Sequence, residues 1–102
     1  MKTPGQQQDE VIKLVDNYFD KYGEQYLPIE MTMLHKEHIV YIGASILCTK
    51  WEIGYPGGDF AQAMVNNDLR ETFGRADNIN QYCIKFYLML MYNVGMPTSL
   101  LQ

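Results

Sequence analysis

Positive charge is scarce in this chain. Eight lysines and arginines are spread over 102 residues against twelve aspartates and glutamates, giving a net charge of −4. A duplex binder needs a basic face to displace counterions, so duplex nucleic acid is not an expected partner. Twelve carboxylates are also too thinly spread to imitate a phosphate backbone. Cysteine is nearly as rare. Cys48 and Cys83 lie far apart, each within an apolar segment, and no Cys-x-x-Cys suggests a zinc framework or a redox pair. They read as two buried, reduced thiols of a cytoplasmic protein. Long apolar runs are missing too. The longest, Phe86 to Tyr92, falls far short of the ~20 residues a membrane helix requires. The start has no apolar core of a signal peptide. The expectation is a protein of the cytoplasm with no membrane, metal or cofactor.

What is present is an ordinary globular composition, 47% hydrophobic and 20% charged, in a length that suits one domain. Residues 1–6 are polar and expected to fray, leaving 7–102 as a single all-α domain. From 7 to 22 the residues Val11, Ile12, Leu14, Val15, Tyr18, Phe19 and Tyr22 fall within an arc of roughly 160° on a helix. Gly23 suits the left-handed residue that ends it. Ile29 to Leu34 reads as an extended or short helical connector, with a strand not excluded. A second helix is predicted over 36–52, with a strand from Ile39 to Ile42 as the alternative. Gly43 falls in the middle of its apolar arc. A mid-helix glycine costs about 1 kcal/mol against alanine, so the return expected is close approach by another helix.

Gly54, Pro56, Gly57 and Gly58 then force a turn. Asp59 followed by Gln62 resembles a capping box opening a third helix over 59–73. On that helix Asp68 projects near the centre of the apolar side formed by Ala61, Met64, Val65 and Thr72. A buried carboxylate needs a donor, and Arg75 is the nearest candidate. Gly74 ends the helix, Asp77 caps a fourth over 77–94, and Gly95 with Pro97 closes it. The fourth helix is apolar on nearly every side, as expected of an element central to its domain or shared with a second copy. The architecture predicted is a compact bundle of about four helices, forming a homo-oligomer through Asp77–Val94.

No catalytic arrangement stands out. His35 and His38 share a helical face but lack further zinc ligands. Ser45 and Ser99 sit in no nucleophile motif, and the apolar settings of Cys48 and Cys83 argue against reactive thiols. Gly57-Gly58 is not followed by the Gly-Lys-Ser/Thr of a phosphate loop. The chain therefore reads as non-enzymatic. A glycine-rich turn before a helix can still capture an anion through free N–H groups. In that reading Arg70 and Arg75 neutralise phosphate, and Tyr55, Trp51 or Tyr82 stacks on a base beside Gly57 and Gly58. The competing reading is structural: Asp59, Asp68 and Asp77 organise helix ends, and the glycines let two helices meet.

The run Pro56-Gly57-Gly58-Asp59-Phe60, then Asn67-Asp68-Leu69, then Arg75-Ala76-Asp77 with Asn80 resembles a family of small proteins encoded by tailed phages and prophages. The similarity covers residues 53–98. It implies an infected bacterial host as the setting and an accessory role, with counter-defence as the expected activity. The function expected is sequestration of a small anionic, nucleotide-like immune signal. The alternatives are a protein-binding inhibitor of a host enzyme, or a structural or assembly subunit without a ligand.

Overall fold

The structure is a computed structural model that describes residues 2–101. Among the described residues six α-helices are formed: α1 (Pro4–Tyr26), α2 (Ile29–Leu34), α3 (Lys36–Lys50), α4 (Asp59–Val65), α5 (Leu69–Arg75) and α6 (Ile84–Asn93). Short 3₁₀ turns precede α6 at Asn80–Tyr82 and close the chain at Thr98–Leu101. The all-α class expected from the sequence is observed, with no strand among the described residues. Both strand alternatives give way to helix, at 29–34 and at 39–42.

The polar start is built into the fold. Thr3 Oγ1 accepts from the Gln6 N–H at 3.2 Å, and Gln6 Oε1 accepts from the Thr3 N–H at 2.9 Å. This capping box, with Pro4 in the first turn, begins α1 three residues ahead of the predicted boundary. Gln7 Nε2 then donates to the Leu100 carbonyl at 2.9 Å, and Lys2 bridges Glu10 and the Ser99 carbonyl. Leu100 itself is buried. Nor does Gly23 end the helix. It lies buried, where an added Cβ would meet the Phe19 ring at 3.5 Å, and α1 continues to Tyr26. The stop comes from Pro28, which forces Leu27 into an extended conformation.

Val11, Val15, Tyr18 and Phe19 on α1 meet Ile39, Ile46 and Leu47 on α3, with Phe86, Tyr87 and Leu90 of α6 lying across both. Gly43 stands where the three helices converge. A Cβ there would lie 2.9 Å from Val15 Cγ1 and 3.0 Å from Leu90 Cδ2. The close approach inferred from its sequence position is therefore observed. Lys36 fixes the start of α3 against α1, pairing with Asp20 at 2.8 Å and Asp16 at 3.2 Å. α6 is central, as its all-round apolar character suggested. Its outward positions still leave Leu88 and Tyr92 exposed.

The predicted 59–73 helix is two helices. Asn67 takes a left-handed conformation at φ 58°, which asparagine tolerates, and Asp68 turns extended. Asp68 then caps α5, accepting from the Glu71 N–H at 3.1 Å. It is exposed and does not sit on an apolar face, so the buried-carboxylate expectation is corrected. The break also turns Leu69 and Phe73 outward, 70% and 54% exposed. The predicted 77–94 helix opens as a 3₁₀ turn. Asp77 Oδ1 caps it from the N–H groups of Ile79 at 2.9 Å and Asn80 at 2.6 Å.

Candidate functional site

The turn between α3 and α4 is shaped by two left-handed residues, Glu52 at φ 57° and Gly54 at φ 67°. Ile53 N–H reaches back to the Cys48 carbonyl at 2.9 Å, so α3 stops at Lys50 and not at Glu52. The chain then returns onto α3 at Gly57. Its N–H donates to Thr49 Oγ1 at 2.8 Å, and its carbonyl accepts from Gln62 Nε2 at 2.6 Å. A Cβ on Gly57 would collide with Ser45 Oγ and come within 2.8 Å of the Ala61 Cβ. Glycine is needed here for close approach, since φ is not left-handed. Gly58, with open space around its Cα, is the N-cap of α4. Asp59 is not that cap. It falls one residue later, exposed in the first turn, and Gln62 reaches the Gly57 carbonyl instead of an N–H.

The returning chain walls off a groove of about 430 Å³ between α1, α3 and the turn. Ile12, Ile42 and Ala44 give it an apolar floor; Tyr41 and Tyr55, 67% and 93% exposed, stand at its edges. Cys48 also lines it, its thiol pushed up by burial, which suits a structural cysteine and not a nucleophile. At Ile42, Ser45 and Gly58 the groove shares its lining with a second cavity of about 330 Å³. The second cavity adds four polar side chains, Asp59, Arg75, Asp77 and Asn80, around Phe60 and Ala61.

The structure brings together Tyr55, Gly57 and Gly58 in the groove, with Arg75 in the adjoining cavity. Arg70 and Trp51 line neither. Arg70 is exposed on α5, and Trp51 packs half-buried on the core. Tyr82 stands elsewhere, over Pro28 and Ile29. Arg75 is not the partner of Asp68. Its Nε donates to Glu71 Oε2 at 3.0 Å, and its Nη1 lies 3.6 Å from Asp59 Oδ2. The bond to Glu71, with added attraction from Asp59, holds the guanidinium above its ordinary value. The positive charge of the adjoining cavity is thus already balanced.

A polar network missed by the sequence reading lies beneath the second cavity. Asn80, 4% exposed, accepts on Oδ1 from the Tyr87 hydroxyl at 2.8 Å. His38 Nε2 lies 3.2 Å from the same oxygen. Asp77 Oδ2 is 3.6 Å from that nitrogen. Burial raises the Tyr87 hydroxyl well above its ordinary value and pushes the neighbouring Cys83 thiol up to about 12. Both remain protonated near neutrality. His35 takes no part, and no cluster of His, Cys, Asp and Glu fit for a metal occurs among the described residues. His38 and Asn80 are 42 positions apart, and no local sequence pattern announces such a pairing.

Family models, curated proteins and solved structures give no match to this chain. Among the described residues no helix is long and apolar enough to cross a membrane.

Proposed function

We propose that the chain is a non-enzymatic phage accessory protein that counters host defence by sequestering a nucleotide-like signal in the glycine-turn groove. The phage setting rests on the resemblance of residues 53–98. The binding mode rests on one observation: two exposed tyrosines, Tyr41 and Tyr55, border an apolar groove of ligand size. A base stacked on an aromatic ring gains roughly 1–3 kcal/mol without sequence-specific contacts. With Arg75 committed to Glu71 and Asp59, the base contributes more than the phosphate. Calorimetric titration with nucleosides, mononucleotides, cyclic mononucleotides and cyclic dinucleotides tests this. The expected result is saturable binding that weakens at least fivefold in Tyr55→Ala. No heat and no thermal shift with any member would refute it.

The surface of α2 favours a second reading, docking on a host protein. Ile29, Met33 and Leu34 are 71%, 74% and 72% exposed on this six-residue helix, an apolar patch of the kind that marks interaction sites. That reading expects capture of one stoichiometric host protein, lost in Met33→Glu. A homo-oligomer through residues 77–94 is compatible with either and would use Leu88 and Tyr92. Light scattering that gives a monomer mass would remove it.

A further inference from the structure

The geometry points to Asn80 as the polar anchor of the binding site, selecting a neutral hydrogen-bonding edge of the ligand and keeping phosphate out of the second cavity. This rests on the groove reading above and names what that groove recognises.

Oδ1 of Asn80 accepts from the Tyr87 hydroxyl and lies within hydrogen-bond distance of His38 Nε2. An amide oxygen has two acceptor sites, and both of these contacts lie on the oxygen side of the amide. The NH₂ group is turned the other way and donates to nothing among the described residues. Every sealed side-chain nitrogen or oxygen among the described residues has a partner. The Asn80 amide nitrogen is therefore not sealed, and Asn80 lines the second cavity. Open to solvent and without a protein partner, that NH₂ is a donor available to whatever enters the cavity. Ser45 Oγ, at the junction of groove and cavity, also makes no hydrogen bond among the described residues.

Charge then decides what can enter. Asp59 and Asp77 face one guanidinium in this cavity, and Arg75 is already paired with Asp59 and Glu71. A phosphate would meet more negative than positive charge. A neutral ring edge would not: its carbonyl oxygen or ring nitrogen accepts from the Asn80 NH₂, and an adjacent N–H donates to Asp77 or Asp59. Nucleobases carry this acceptor-beside-donor pattern on their pairing edge. Phe60, in edge contact with Tyr87 at 5.8 Å between centroids, supplies an aromatic wall.

The test is nitrogen–proton correlation NMR on the labelled wild-type protein, titrated separately with guanosine, adenosine and inorganic phosphate. The Asn80 side-chain NH₂ pair, identified by its disappearance in Asn80→Asp or by direct assignment, should shift with a nucleoside and stay still with millimolar phosphate. Asn80→Asp keeps an acceptor for Tyr87 and His38 while removing the donor. It should weaken nucleoside binding at least tenfold with the fold intact; should it not fold, the wild-type spectra decide alone. Nucleoside shifts at the Gly57 and Ser45 backbone amides without movement of the Asn80 pair would overturn the anchor and leave the groove reading standing. No shift with either nucleoside would overturn both. A phosphate-induced shift of the Asn80 pair would overturn the exclusion.

Discussion

Replacing Gly43 by alanine sets two effects of opposite sign against each other in one residue. In an exposed helix interior the change gains about 1 kcal/mol, because glycine forfeits backbone entropy on folding. At Gly43 the added methyl would stand 2.9 Å from Val15 Cγ1 and 3.0 Å from Leu90 Cδ2. Both neighbours are fully buried, and a β-branched valine on a helix has one strongly preferred rotamer. Relief must come from moving α1 or α6, and overpacking of this kind costs about 1–3 kcal/mol. The net expectation is a loss of about 1 kcal/mol, lowering the melting temperature by roughly 4–8 °C for a domain of this size. Gly74→Ala is the internal control. It lies in the last turn of α5 with nothing within 4 Å of its Cβ position, so there the propensity gain should appear alone. Urea denaturation followed by circular dichroism measures both. Truncating Val15 to alanine in the Gly43→Ala background should recover about 1 kcal/mol relative to additivity. If Gly43→Ala stabilises as much as Gly74→Ala, the three-helix convergence is not tight, and the reasoning fails.

Three other outcomes follow from the same contacts. Tyr87→Phe removes a buried donor from Asn80 and should cost about 1–2 kcal/mol in denaturant midpoint; no change would mean that Asn80 does not depend on it. Asp59→Asn should alter stability by less than about 0.5 kcal/mol, since the pair it breaks is exposed. By removing one of the two carboxylates beside Arg75, while Glu71 stays bound, it should strengthen nucleotide binding over nucleoside binding about threefold at low salt, an advantage lost at high salt; calorimetry at two ionic strengths decides. The third concerns alkaline pH. Tyr18, Cys48, Cys83 and Tyr87 are held above their ordinary values, chiefly by burial. An acid whose folded value is raised contributes stability that is complete below its unfolded value and is lost as pH rises through the folded one. For Cys83 that window opens near 9.0 and closes near 12. Stability should therefore fall steadily across it, and a flat profile would contradict the burial.

The parts legible in the sequence were those with a local physical signature. The stripe of α1 repeats at helical spacing, and Gly43 stood out because glycine is expensive where it occurred. The break at Asn66-Asn67-Asp68 was legible in principle, since asparagine and aspartate are turn formers. The apolar rhythm of Met64, Val65, Leu69 and Phe73 continued across it and outweighed the signal. The same misreading made Asp68 a buried charge and assigned it Arg75. The actual partner, Glu71, sits at the ordinary i,i+4 spacing of a helix pair, so Arg75 was available locally all along. The site itself divided the same way. Its glycine turn and Tyr55 are local features and were found. Its floor from α1, its second tyrosine on α3, and the Asn80–His38–Tyr87 network depend on helices meeting across the fold, and periodicity carries no information about that. The consequence is chemical. Sequence proximity suggested a phosphate site because arginines lie near glycines, whereas in the tertiary arrangement the Asn80 amide and the Ser45 hydroxyl are donors without a partner among the described residues. On the proposed reading those groups suit a neutral ring edge, so the base, more than the phosphate, would carry the recognition.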